Sequence, residues 1–261
     1  MAQTSGTYFQ KNNMYDLTIV GNGIIGLLIA NEYKKIEPKA KVALIGPATK
    51  DNSGTMASGA MINVMPEIDT MSYGDEYYQK KIGIGLKSTK KWNTFFKKKF
   101  LPKDIKVANH TIVYREKNGP TYEKNIYEKS KFNCKKNNKI LDKKVNFFGK
   151  KKDYFIIKDE IAINSNKLIW ILEKKIKNKV DFIDSCVNSI KSVNSNNYQK
   201  IFLNNKKIIY SKKVLICCGF NSGKIMKSIN KNSIDILSSI GDAFHVSKAK
   251  NFLNKLPEKY V

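Results

Sequence analysis

The residues whose spacing best suits chemistry come early in the chain, as Gly21-Asn22-Gly23-Ile24-Ile25-Gly26. They fit G-x-G-x-x-G, with an apolar run before them and a helical apolar pattern after. Each glycine answers a different demand. Gly21 permits a tight turn, Gly23 lets a pyrophosphate approach the backbone, and Gly26 lets the helix sit close to the strand. Ile24 and Ile25 open that helix, whose N-terminal N–H groups and partial positive charge suit phosphates. A glycine turn of purely structural purpose has the same letters, so the flanking elements must decide. A second constraint is the acid that usually ends the following strand and binds ribose hydroxyls. Here "VALI" is followed by Gly46 and Pro47, with Asp51 several residues too late and Lys50 as a residue suited to a 2′-phosphate.

Other reactive types are sparse. Cys134, Cys186, Cys217 and Cys218 show neither C-x-x-C pairing nor metal-ligand spacing, so no metal site is expected. Cys217 and Cys218 fall in the apolar run "KVLICC", where buried free thiols inside a strand are expected. His110 opens an expected strand and reads as structural or exposed, and no catalytic residue can be assigned. Gly241, Asp242 and His245, in "IGDAFHV", stand too soon after "CCG" to close over a cofactor.

The elements that would position the turn are legible. Residues 15–20 read as a buried strand, 22–35 as a helix and 41–45 as a second strand, a βαβ unit of about 30 residues. "GPATKDNSGTMASGAMINVMPE" is rich in small residues and reads as loop or closely packed helix. A long helix is expected over 73–98, with Trp92, Phe95 and Phe96 on its buried side. "HTIVYRE" and "DYFII" read as strands with a polar helical segment between them. A helix capped by Asn164 follows, then short strands in "KVDFID", "VNSIKSV", "YQKIFL", "KKIIY" and "KKVLICCG". The expected organisation is a discontinuous nucleotide-binding domain, 1–74 and 161–261, with an inserted α+β substrate domain, 75–160.

Composition bounds the function. The 261 residues are 41% hydrophobic, enough for a real core, and no apolar run is long enough to span a membrane. The N-terminus lacks the pattern of a signal peptide, and a reducing cytoplasm is the expected location. The formal charge is +26, yet Arg115 is the single arginine. Arginine dominates base and bidentate phosphate readout, so nucleic acid is not the expected partner. Clusters such as "FFKKKF" and "GKKKDY" fall between periodic segments, as solvated lysines would.

Four segments, in order, resemble the D-amino-acid oxidase superfamily of flavoproteins, which includes glycine and sarcosine oxidases. They are "DLTIVGNGIIGLLIA", "SGTMASGAMINV", "AINSNKLIWILEKKI…KVDFIDSCVNSIK" and "KKVLICCGFNSGKIM". The resemblance implies an α/β, Rossmann-like FAD-binding domain. It places the FAD pyrophosphate on Gly21, Gly23, Ile24, Ile25 and Gly26, and the flavin ring over Ser58, Gly59, Ala60 and Met61. It places adenine near the backbone of Val187, and the ribityl chain near Cys218 and Gly219.

The implied activity is oxidation of an amine, amino acid or 2-hydroxy acid by hydride transfer to FAD. O2 or an electron carrier would then reoxidise the flavin. Departures accompany the likeness. The ribose acid is missing, no arginine follows Arg115, and family members usually continue well beyond "LNKLPEKYV". The fold is therefore expected to be C-terminally incomplete, a fragment or one chain of a split enzyme completed by a second chain. Two other readings stay open. One is an NADP-dependent oxidoreductase on the same βαβ unit; the other is a non-catalytic flavin-fold protein whose basic surface binds a polyanion.

Overall fold

The computed structural model describes residues 14–50, 53–57, 60–64, 76–97, 101–114, 140–147, 150–193, 197–230 and 236. The chain divides into two compact units. One comprises Met1–Ala57 with Ser165–Asp242, the other Ser58–Asn164 with Ala243–Val261.

In the first unit the β-branched run after Tyr15 forms β1 (Met14–Val20), and "VALI" forms β2 (Val42–Ile45). Between them lies helix α1 (Ile24–Ile36), whose last turn carries Lys34 and Lys35 against the negative end of the helix dipole. Helix α2 is the four-residue Gly54–Ala57. In chain order the second unit then supplies β3 to β6 and α3, described below. The first unit resumes with helix α4 (Ser165–Ile176), β7 (Asp181–Ile183), β8 (Val187–Val193), β9 (Tyr198–Leu203), β10 (Ile208–Ile216) and helix α5 (Ser222–Ile229).

The sheet order is β7-β2-β1-β10-β9-β8. Strands β7, β2, β1 and β10 are mutually parallel neighbours, whereas β10, β9 and β8 form an antiparallel meander. The meander follows from short connections, since strands joined by a few residues must pair antiparallel. Those three strands do not extend the sheet flat. Residues 184–186 join β7 to β8 and can span at most about 14 Å. Six flat strands would put those two edges about 24 Å apart. The packing agrees: Val20 of β1 and Ile45 of β2 share one buried cluster with Ile190, Ile201, Leu203 and Ile225. The meander and α5 therefore cover one face of the parallel strands.

The opposite face receives α1 and α4. Leu27 and Ala30 of α1, and Leu168, Leu172 and Ile176 of α4, are almost wholly buried. Successive strand residues point to opposite faces. Ile19 accordingly lies toward α1 and Val20 toward the meander. Cover on both faces is why Leu17 to Val20 and all of β2 are buried, and why β2 is apolar throughout and β1 nearly so, with Thr18 the exception.

The second unit is an antiparallel sheet built on one long strand, β6 (Lys150–Ile163). Strand β4 (Lys106–Tyr114) pairs along one edge of β6, through to Lys106↔Ile163. The other edge takes β5 (Ile140–Phe147) and the short β3 (Met61–Ile62). Helix α3 (Glu76–Phe96) buries Ile82 and Phe96, and Trp92 stacks on Phe96 one turn away at 5.5 Å. Phe95 is only half-buried and meets Trp92 edge-on.

Three expectations are corrected. Residues 140–147, expected within a helical segment, form a strand, because pairing along their whole length with β6 outweighs weak local preference. "KKIIY" and "KKVLI" are one strand rather than two, since the ladder with β1 runs from Met14↔Tyr210 through Ser211 and Lys213 to Val20↔Ile216. Cys217 and Cys218 lie beyond that strand, not within it, and are half-buried. Residues 115–139 with Cys134, and Gly241, Asp242 and His245, lie outside the described residues, as do Ser58 and Gly59. Among the described residues no helix is long and apolar enough to cross a membrane.

Candidate nucleotide site

The parallel strands bring four chain ends to one edge of the first unit's sheet: Val20, Ile45, Ile183 and Ile216. From β1 the chain first moves to β2 on one side, and much later returns to β10 on the other. Open α/β sheets bind ligands at such a switch point, outside the carboxyl ends of the strands.

The turn after β1 is fixed from both sides. Gly21 N–H donates to Ile45 O at 2.7 Å, and Cys217 N–H donates to Val20 O at 2.7 Å. Gly21 has φ +113°, and a Cβ there would run into the Cys217 carbonyl. At Gly26 a Cβ would overlap the Gly21 carbonyl oxygen and touch Ile19 Cγ2 at 3.3 Å. Gly23 differs: its backbone is ordinary, and among the described residues a Cβ would meet only Thr55 Oγ1, at 3.3 Å. Two glycines thus shape the turn, and the middle one keeps its face open.

That face is the start of α1. Gly23 offers no side-chain cap and the first turn holds no acidic residue. Ile24 N–H donates to Thr55 Oγ1 at 3.3 Å, and Ile25 is more than half exposed. The N–H groups of the first turn beyond Ile24, at the positive end of a thirteen-residue helix, suit an anion.

Beside the turn, the loop after β2 is pinned at three points. Asn22 Nδ2 donates to Pro47 O at 2.9 Å, and its side chain fills the space over Gly46. Lys50 Nζ reaches Asn22 O at 3.4 Å and pairs with Glu173 Oε1 at 2.7 Å, with only 11% of its side chain exposed. Asp184, just past β7, accepts the Ala48 N–H on Oδ1 at 2.7 Å. Thr55, Asn22, Glu173 and Asp184 were not singled out by sequence. Only Asp184 left a signal, as a carboxylate at the end of an expected strand.

Of the residues suggested by sequence, the fold joins Gly21, Gly23, Ile24, Ile25 and Gly26 to Cys218 and Gly219, because β1 and β10 are neighbours. Gly219 has φ +59° with open space where a Cβ would stand. Cys218 Sγ lies 3.5 Å from Ser222 Oγ. Burial, and then Cys218 beside it, pushes the Cys217 thiol up. Val187 begins β8, packed against the core, after a link anchored by Asn204: Ser185 Oγ donates to Asn204 Oδ1 at 2.6 Å, and Asn204 N–H to Cys186 O at 2.9 Å. Ala60 and Met61 belong to the second unit. There Ala60, at φ 48°, accepts the Ile163 N–H at 3.1 Å, and Met61 pairs with Ala162.

No protein-family model and no curated protein matches the chain. Solved structures do. Glycine oxidase from Geobacillus kaustophilus matches with a TM-score of 0.63 at 14% identity, over 83% of this chain and 58% of that one. The fold resembles part of glycine oxidase. L-amino acid deaminase from Proteus vulgaris matches at TM-score 0.59 and 11% identity, over 86% of this chain and 51% of its own. L-proline dehydrogenase from P. horikoshii gives 0.57 and 15%, over 83% and 56%. The chain therefore spans little more than half the length of these structures. The likeness agrees with the D-amino-acid oxidase resemblance carried by the four sequence segments.

The residues present fit the nucleotide half of an FAD. A bare Gly23 and an α1 first turn without a carboxylate leave room and N–H groups for a pyrophosphate. The tip of β2 offers ribose no acid, since Gly46 and the Asn22 side chain occupy it.

Proposed function

We propose that this chain binds FAD through its first unit and serves an FAD-dependent oxidoreductase acting on an amine, amino acid or 2-hydroxy acid. The observation that carries the reading is Gly23, with no side chain of its own at the start of α1, set at the switch point of a fold that resembles part of glycine oxidase. FAD, when bound, supplies the acceptor for hydride removed from the substrate carbon, with O2 or a carrier as the final electron sink. The chain's own part is to hold and orient. Gly21 and Gly26 fix the turn, the N–H groups of α1 take the pyrophosphate, and the backbone at Val187 faces adenine. Gly219, past the end of the strand beside β1, borders the ribityl chain. The substrate face, and any second chain that completes it, belong to the same proposal.

FAD is favoured over NADP by the state of Lys50. A cation held by Glu173 and almost fully buried is poorly placed to meet a 2′-phosphate. The test is the purified full chain, as isolated and after incubation with FAD. We expect the visible absorbance bands of bound flavin and a higher unfolding temperature with FAD. A colourless protein that takes up no FAD but binds NADPH would overturn the reading.

A further inference from the structure

We infer that Asp184 supplies the ribose-binding carboxylate that the tip of β2 lacks; the inference rests on the nucleotide reading above. Strands β2 and β7 are parallel and in register at Ile45↔Ile183, and Gly46 N–H continues the ladder to Ile183 O at 3.1 Å. The residue after Ile183 therefore stands one strand over from Gly46, about 4.8 Å away along the hydrogen-bonding direction. That residue is Asp184. Its Oδ1 accepts the Ala48 N–H, two residues past Gly46, which turns the carboxylate toward the loop after β2. The neighbouring Pro47 is tied to Asn22 inside the glycine turn, so carboxylate and turn belong to one continuous wall.

Asp184 is exposed, and among the described residues its bond to Ala48 leaves acceptor capacity for a ligand. An ionised carboxylate beside two vicinal hydroxyls forms charge-assisted hydrogen bonds, the chemistry a ribose acid performs from β2 elsewhere. The loop sequence explains the relocation. Gly46 is bare and crowded by Asn22, so no side chain can project from β2 itself. A carboxylate there also repels a 2′-phosphate, which points to an unphosphorylated adenosine ribose.

The experiment is calorimetric titration of the full chain with ADP and with 2′,3′-dideoxy-ADP, for wild type, Asp184→Ala and Asp184→Asn. Asn keeps an acceptor for Ala48 and removes the charge. We expect wild type to bind ADP about tenfold or more tightly than the dideoxy nucleotide, as befits lost hydrogen bonds to a charged group. Both variants should bind ADP correspondingly weakly and lose most of that preference. Unchanged ADP affinity in the variants overturns the inference and leaves the nucleotide reading standing. Equal weakening toward both nucleotides, with the preference kept, also overturns it, because Asp184 would then only pin the loop. Failure of wild type to bind either ADP or FAD shows before any variant is made, and it sinks both.

Discussion

Gly26→Ala should destabilise the first unit while Gly23→Ala should not, although the two glycines stand three residues apart in one motif. The added Cβ at Gly26 would overlap the Gly21 carbonyl oxygen and lie 3.1 Å from its carbon and 3.3 Å from Ile19 Cγ2. Backbone cannot rotate away, and Gly21 is itself held by its bond to Ile45 O. Relief would require α1 to lift from β1, loosening Leu27 and Ala30, which are fully buried. Overpacking of this kind costs about 1–3 kcal/mol. Alanine returns about 0.5–1 kcal/mol of helix preference over glycine. Because the obstacle is backbone, the upper part of the range applies, giving a net loss of about 2 kcal/mol. At Gly23 the nearest atom is the rotatable Thr55 hydroxyl at 3.3 Å and φ is −73°, so stability should stay within about 0.5 kcal/mol. Its cost should appear in ADP affinity instead. The assay is denaturant unfolding followed by circular dichroism and by fluorescence, Trp170 on α4 reporting on the first unit. Equal midpoints for Gly26→Ala and wild type, or equal losses for the two variants, would refute the assignment of separate roles.

Two further outcomes follow from the electrostatics. The Asp16 carboxyl is held below its ordinary range by a hydrogen bond from Lys212 and another from the Lys41 N–H. Its folded value is depressed, so the contribution is present above about pH 4 and is lost as pH falls through the lowered folded value. Asp16→Asn should lower the unfolding midpoint modestly at neutral pH, and the two proteins should converge in acid; parallel curves would contradict the pairing. Among the described cysteines, exposed Cys186 should alkylate first. Cys217, with its thiol pushed up by burial, should react slowly at neutral pH and catch up only in more alkaline solution. Peptide mass spectrometry at successive times checks the order, and equal neutral rates would contradict it.

Much of the first unit was legible because its signals are local. An apolar run, a glycine turn and a helical period name β1, the turn and α1 to within a residue or two. The second unit was read less well. Residues 140–147 have no strong period of their own and become a strand only because β6 offers them an edge. Cys217 and Cys218 misled for the opposite reason: their apolar neighbours read as one strand, but the ladder with β1 ends at Ile216.

By itself the sequence determined the glycine turn after β1, which is proposed above to hold phosphate. Glycine placement is a steric requirement, and at Gly26 it is local, since a Cβ would meet Gly21 and Ile19. At Gly21 the positive φ is local, but the obstacle, Cys217, arrives with β10. The sequence also determined that β2 carries no acid. What stands in its place was decided by tertiary structure alone. Asp184 lies 138 residues beyond Gly46 in the chain, and only the parallel register of β2 and β7 sets them side by side. Lys50 is likewise ambiguous in sequence and resolved by Glu173, which α4 delivers from far along the chain. Steric rules act between neighbours, whereas a carboxylate or a cation takes its meaning from whatever charge the fold sets beside it.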